Sequence, residues 1–360
     1  MAWERKVMRV VRVRNDQEIG LLARLLTAIS KAGGSVGTLQ LLNESSQHVV
    51  RDITIYADGE KHLEAVLAAI RSNPGTVVVE VRDEVLELHQ KGKIAVRSRY
   101  EIDSMTTLRR VYTPGVAEVC QRIAADPSQA RLYTSISHMV AIVTDGTAVL
   151  GLGDIGPLAG MPVMEGKAML METLVGLSGV PILLNTRDPE AIVQAVAAIA
   201  PTFAAIQLED ISAPRCFEIE TRLQAMLDIP VMHDDQHGTA VVSTAALLVA
   251  ARSTDTNLDD AVIGQVGLGA AGYAIAQMLM RLTGNPVLGA DLNPEALERF
   301  EGSGGRKSDL AEIMTGCDIV IATTGAPGLI KPEMVRKGQI ILALSNPNPE
   351  IEPALAREAG

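Results

Sequence analysis

Between residues 261 and 291 the sequence leaves the chain little freedom. A hydrophobic run, 261–266, breaks into Gly267-Leu268-Gly269-Ala270-Ala271-Gly272; a helical pattern continues to about Leu282, a second hydrophobic run covers 286–290, and Asp291 closes it. Strand, glycine loop, helix, strand and terminal acid, in that order, predict half of a doubly wound nucleotide-binding sheet. Gly267 permits the tight turn, Gly269 lets backbone approach a pyrophosphate, and Gly272 lets helix and strand pack closely. The N–H groups opening the helix, at Ala270, Ala271 and Gly272, have no intrahelical partner and suit phosphate. A carboxylate at Asp291 would bond a ribose 2′-hydroxyl and repel a 2′-phosphate, so NAD is expected over NADP. Arg306 and Lys307 lie downstream and read as residues of a short solvated loop.

The same glycine spacing occurs at Gly151, Gly153 and Gly156. There Pro157 follows directly, a poor start for a phosphate-binding helix, and no second strand with a terminal acid follows at the right distance. This loop is expected to bring backbone to a site, not to hold a second dinucleotide.

Upstream, residues 7–14 alternate like a strand, and Asn15 and Asp16 offer caps for a helix carrying Ile19, Leu22, Leu25, Leu26 and Ile29. Strands at 36–42 and 48–57, a helix at 60–71 stopped by Asn73-Pro74-Gly75, and a strand at 77–81 complete a βαββαβ, ferredoxin-like order. A charged segment, 82–101, reads as a linker. From Met139 onward apolar strand-like and helical runs alternate, which is α/β patterning.

Composition narrows the partners. Net charge is −11 and aromatics are only 2%, so the chain lacks both the phosphate neutralisation and the stacking platforms of a nucleic-acid binder. Cys120, Cys216 and Cys317 form no CxxC pair and read as buried small hydrophobes in a reducing cytosol. Residues 1–14 lack the apolar core of a signal peptide, and the longest apolar stretch, 239–251, falls short of the roughly 20 residues that span a bilayer. A soluble cytoplasmic protein is expected.

Four further segments carry chemistry. Tyr112 begins Tyr-Thr-Pro-Gly-Val-Ala, and Lys167 lies in Glu-Gly-Lys-Ala-Met-Leu at the expected start of an apolar helix. Glu209, Asp210, Asp234 and Asp235 follow strand-like runs. Carboxylates at strand ends suit a hard divalent cation such as Mg2+ or Mn2+. Adjacent acids on a regular strand point to opposite faces, so Glu209 and Asp210 can share an ion only if the strand has already broken. For Asp234 and Asp235, just ahead of the 239–251 helix, a cap is the ordinary explanation.

Taken together these segments resemble the malic enzyme family, in its small prokaryotic form: YTPGVA at 112, TDG at 144, GLGDIG at 151, EGKAML at 165, LEDI at 208, HDDQHGT at 233, GLGAAG at 267, TGAPG at 324 and SNPNP at 345. They come in the family's order. The resemblance implies metal ligation by Glu209, Asp210 and Asp235, with Lys167 as the base taking the malate hydroxyl proton and Asp234 holding it. It implies Tyr112 as the acid that protonates the enolpyruvate carbon, Asn346 near nicotinamide and substrate, and pyruvate and CO2 as products. Residues 1–85 resemble ACT domains, which bind small effectors, with Gly20 at the family's glycine but Ile19 where proline is common. The expected organisation is an ACT-like regulatory domain (1–85), an α/β malic-enzyme catalytic domain (86–238) and a Rossmann-like NAD-binding domain (239–360), in a homodimer or higher homo-oligomer. Two departures stand out. The stretch Thr147-Ala148-Val149-Leu150 lacks the arginine that meets the substrate carboxylate in large eukaryotic members. The chain also ends at Gly360, before the family's Asn-Asn-Phe-Pro-like segment, so the last domain reads as truncated. Malolactic decarboxylation to lactate and a silent NAD- and effector-binding sensor are the alternatives.

Overall fold

The computed structural model describes residues 7–149 and 151–360; residues 1–6 of the expected leaderless terminus, and Leu150 of the arginine-free stretch, lie outside them. The chain divides into a unit ending at Ala95 and a second unit, Val96–Gly360. In the first, β1 (Val7–Asp16), α1 (Leu21–Lys31), β2 (Ser35–Glu44), β3 (His48–Ala57), α2 (Glu60–Arg71) and β4 (Thr76–Arg82) follow the order that the spacing predicts. The four strands form an antiparallel sheet ordered β2-β3-β1-β4. Val11, Val13, Ile53 and Ile55 of the sheet meet Leu25, Ile29, Leu63, Val66 and Ile70 of the helices in one core. Burying such side chains contributes about 1.5–3 kcal/mol each before entropy opposes it.

Asn15 and Asp16 do not cap α1. Strand pairing carries through both, with Asn15 opposite Val49 and Thr76, and the buried Asn15 amide donates to Thr76 Oγ1 at 2.9 Å. Helix α1 starts instead at Gly20, whose φ of 84° turns the chain without any side-chain cap. The expected linker contains a short helix, α3 (Glu84–His89).

The second unit opens with helices α4 (Met105–Val111), α5 (Val116–Ala125) and α6 (Ala130–Tyr133), none of which buries a side chain. Cys120 on α5 is therefore exposed, against expectation, whereas Cys216 and Cys317 are buried. Then come β5 (Met139–Thr144), α7 (Pro157–Val175), β6 (Ser178–Leu183), α8 (Pro189–Ile199), β7 (Ala205–Leu208), α9 (Arg215–Met226), β8 (Val231–His233) and α10 (Asp234–Ser253). These strands form a parallel sheet ordered β6-β5-β7-β8. Next follow β9 (Ile263–Val266), α11 (Ala270–Thr283), β10 (Leu288–Ala290), α12 (Pro294–Gly302), β11 (Arg306–Lys307), α13 (Leu310–Gly316), β12 (Ile319–Ala322), β13 (Ile340–Ala343) and α14 (Pro353–Ala359). They form a second parallel sheet, ordered β11-β10-β9-β12-β13. In each sheet the order reverses beside the first strand, at β5/β7 and at β9/β12, and ligands of such sheets bind at the carboxyl ends there. Helix α10 runs through the expected boundary at 238/239, and its Ala240, Leu247 and Ala251 join the core of the nucleotide-type sheet. No helix among the described residues is long and apolar enough to cross a membrane.

Candidate active site

The carboxyl end of the β5–β8 sheet gathers the charged residues. Strand β7 ends at Leu208, and Asp210 takes a left-handed φ of 53°, so the chain has broken where two adjacent acids must turn to one side. That conformation is held from outside: the Asp210 carbonyl accepts from Thr147 N at 3.1 Å and Ala148 N at 3.0 Å, and Asp210 N donates to Asp235 Oδ2 at 3.2 Å. Glu209, Asp210 and Asp235 each offer an oxygen within 4.8 Å of the others.

Lys167 donates to Asp234 Oδ2 at 2.6 Å and pairs with Glu209 Oε1 at 3.0 Å. It does not lie at a helix start. Helix α7 begins ten residues earlier, with Pro157 at its first position. Proline suits that position because its missing N–H would be unpaired there in any case, so the expectation that Pro157 argues against a helix after Gly156 fails. Lys167 reaches the acids because α7 lies close on β6: a Cβ on Gly179 would meet Ala168 Cα at 2.8 Å. Asp234 and Asp235 likewise sit inside the first turn of α10, not ahead of it. Gly238 makes room for Asp234, since a Cβ there would meet Asp234 Oδ1 at 2.3 Å.

The electrostatics are unbalanced. Burial pushes Glu209 up to about 7; Lys167 pulls against it and Asp234 adds to it. Burial, then Asp235 and Glu209, push Asp210 up to about 7 as well, and burial and Asp234 raise Asp235. Burial draws Lys167 down, but Glu209 and Asp234 together outweigh it and hold the ammonium above its usual range. Asp210 Oδ2 is buried and has no hydrogen-bond partner. An all-oxygen cluster with excess negative charge and an orphaned carboxylate oxygen fits a hard divalent cation.

The β9–α11 loop has the shape that a dinucleotide requires. Gly267 has φ of 87°, and a Cβ there would meet Thr323 O at 2.7 Å. A Cβ on Gly272 would meet Gly267 O at 1.9 Å, whereas Gly269 faces open space. Asp291 is partly engaged already: Oδ2 accepts from Leu268 N at 2.6 Å and Oδ1 from Asn293 N at 2.8 Å. Arg306 and Lys307, expected in a loop, form β11 and are exposed. Asn346 lies on an exposed loop after β13, its carbonyl 3.6 Å from where a Cβ on Gly151 would stand. The structure thus brings Lys167, Glu209, Asp210, Asp234 and Asp235 together. Tyr112 stands apart as the C-cap of α4, with 66% of its surface exposed.

Several residues at this sheet edge carry no sequence signal. Buried Glu220 on α9 accepts from His233 N at 2.8 Å and Gln236 Nε2 at 3.2 Å, fixing the start of α10. Arg215 Nη2 pairs with Asp145 Oδ2 at 3.2 Å and donates to Thr147 Oγ1 at 2.9 Å. Arg187 pairs with Asp154 of the first glycine loop at 2.6 Å. Only tertiary contacts give these residues their roles.

Residues 91–224 match the family model for the malic enzyme N-terminal domain. The chain is 52% identical over 356 residues to NAD-dependent malic enzyme 1 of Bacillus subtilis, covering 98% of this chain and 81% of that protein. It is 43% identical over 362 residues to the NAD-dependent malic enzyme of Geobacillus stearothermophilus, covering 96% and 76%. A crystal structure of the NAD-dependent malic enzyme of Thermotoga maritima superposes with a TM-score of 0.73 at 40% identity, covering 78% of this chain and 79% of that one.

Proposed function

We propose, from the premise that this chain belongs to the malic enzyme family, that it oxidises L-malate to pyruvate and CO2 with reduction of NAD. The observation that carries the reading is the single ammonium of Lys167 set among four carboxylates at a sheet switch point. Glu209, Asp210 and Asp235 would hold Mg2+ or Mn2+, which when bound supplies positive charge to stabilise a developing alkoxide and then an enolate. Ala270, Ala271 and Gly272 would hold the pyrophosphate of NAD and Asp291 its ribose, and the bound cofactor supplies the hydride acceptor.

The chain's own residues do the rest. Lys167 Nζ takes the proton of the malate hydroxyl, and Asp234 holds the amine in place. Were Glu209 engaged as a ligand, Asp234 would remain as the anion that holds the Lys167 amine. The family resemblance gives Tyr112, which stands apart from the acid cluster within one chain, the role of protonating the enolpyruvate carbon, and gives Asn346 contact with substrate beside the nicotinamide. Asp291 favours NAD over NADP.

The same reading assigns the remaining parts. Residues 1–85 form an ACT-like effector domain, followed by the catalytic (86–238) and nucleotide (239–360) domains, in a cytoplasmic enzyme. The chain works as a homo-oligomer; Met105 and Leu132 on the unburied helices, and Tyr112 at the end of α4, are each about two-thirds exposed, a surface suited to a second copy.

One assay tests the reading: NADH absorbance with malate and Mn2+, with NAD and NADP in parallel, and pyruvate and lactate measured afterwards. Reduction of NAD with equal pyruvate supports it. Lactate without NADH would replace it by the malolactic reaction, and no turnover with either cofactor by a silent sensor.

A further inference from the structure

The nucleotide-type sheet ends, on its β12 and β13 side, in two loops: Thr323-Thr324-Gly325-Ala326 and Leu344-Ser345-Asn346-Pro347. Their place along a dinucleotide follows from strand order. Asp291, for the adenosine ribose, closes β10, and the pyrophosphate loop follows β9. A cofactor laid from β10 across β9 therefore continues over the ends of β12 and β13, where its nicotinamide half must lie.

One side chain ties these loops together. Glu350 is fully buried. Its Oε1 accepts from Thr324 N at 2.6 Å, Thr324 Oγ1 at 2.9 Å and Ser345 Oγ at 2.5 Å, and its Oε2 accepts from Ser345 N at 3.2 Å. The two hydroxyls pass the order on: Ser345 Oγ accepts from Gly325 N at 2.8 Å and Thr324 Oγ1 from Ala326 N at 3.1 Å. The backbone around Glu350 is fastened too, with Ile330 N donating to its carbonyl at 2.9 Å.

All four donors to the carboxylate are neutral. Burial alone would push Glu350 up, but these hydrogen bonds outweigh it and hold it below the usual carboxylate range. A buried anion satisfied only by dipoles is a costly way to gain stability, since neutral or apolar packing would do as well. What an anion adds is geometry: one carboxylate fixes two hydroxyl rotors and two backbone N–H groups at once. Ser345, which supplies two of the four donors, adjoins Asn346.

We propose that Glu350 is a positioning residue for the redox step, fixing the two loops that flank the nicotinamide and, through Ser345, the placement of Asn346. This rests on the dinucleotide reading given above. A displacement of about 1 Å at a reacting group costs on the order of 100-fold in rate. Glu350→Gln presents amide hydrogens to donors and should misplace both loops, whereas Glu350→Asp keeps the charge.

The test compares wild type, Glu350→Gln, Glu350→Asp and Ser345→Ala, each well below its own Tm. The readouts are affinity for NAD, affinity for ADP-ribose (the cofactor without its nicotinamide), affinity for Mn2+, and kcat. For Glu350→Gln we expect kcat about 10- to 100-fold lower and weaker NAD binding, with ADP-ribose and Mn2+ affinities unchanged. Glu350→Asp should recover part of the loss, and Ser345→Ala should show a smaller one. A Glu350→Gln protein with lower Tm but wild-type kcat and NAD affinity would overturn the proposal, leaving a purely structural role. Equal weakening of NAD and ADP-ribose would overturn it too, because the whole nucleotide site would then have moved. The binding comparison is read independently of turnover, so failure of the malate reaction in the wild type remains distinguishable from failure of the role of Glu350.

Discussion

Asp52 in the first unit and Asp210 in the second are both buried carboxylates, yet their surroundings are opposite. Asp52 receives Arg12 Nε at 2.8 Å and Nη2 at 3.0 Å, and Arg82 Nη2 at 2.7 Å. Glu80 pairs with the same arginines and Glu87 with Arg82, but Asp52 itself has both guanidinium groups directly on its oxygens. The Arg12 hydrogen bonds hold the Asp52 carboxyl below its usual range. Around Asp210, four carboxylates share the single ammonium of Lys167, and Asp210 itself is pushed up to about 7. The chain supplies its own countercharge in the first place and withholds it in the second. Burial of an acid is therefore uninformative alone; the balance of charge around it separates a structural cluster from a site that recruits a cation.

The sharpest way to break the contrast is Lys167→Ala. Malate oxidation should fall by about 100- to 10,000-fold with NAD affinity nearly intact, read by steady-state kinetics and cofactor titration. Substantial remaining turnover would remove Lys167 from its role. Next in size, Asp235→Asn should weaken Mn2+ binding by about tenfold or more, and it should raise the Tm of the metal-free protein, because it relieves crowded negative charge. An unchanged metal titration would sink the ligand assignment. Asp52→Asn should do the reverse, costing about 1–3 kcal/mol of stability to the first unit while sparing kcat; urea unfolding checks the loss. Acid provides a smaller effect with a definite sign. Asp52 has a lowered folded pKa, so its contribution is full above the unfolded value near 4 and disappears as pH falls through the folded value. Residues 1–85 should thus lose stability at the acid end in a pH series of melts, an effect that Asp52→Asn abolishes. Last, a thermal-shift screen of amino acids and central metabolites should give a small rise in Tm that deletion of residues 1–85 removes. No hit would favour a dimerisation module over an effector domain.

How much was legible follows the range of each interaction. Helix 60–71 reads correctly from local periodicity and its Asn73-Pro74-Gly75 stop. The roles of Gly267 and Gly272 are legible because strand, turn and helix lie within one short segment. The break after Leu208 was required by adjacent acids and is present as the left-handed turn at Asp210. The misses come from elsewhere. Asn15 has the side chain of a cap, but pairing with β3 and β4 outcompetes a local hydrogen bond. Lys167 reads as a helix start because the apolar run Ala168-Met169-Leu170 follows it, whereas α7 begins at Pro157, after Gly156, where proline suits the first helical position. Gly179, Gly238, Glu220 and Glu350 acquire their roles from residues distant in sequence or one helical turn away, and no local pattern marks them.

Helix α10 joins the two sheets of the second unit as an unbroken rod. Its first turn carries Asp234 and Asp235, and its far half lies in the core of the nucleotide-type sheet. At 1.5 Å per residue it is about 30 Å long. A tilt of about 4° around its midpoint would swing the first turn by roughly 1 Å, enough to open or close a carboxylate cage whose metal–oxygen distances tolerate a few tenths of an ångström. The helix therefore fixes the acid cluster and the nucleotide-type core to one rigid element, so that a tilt at one end carries the other with it.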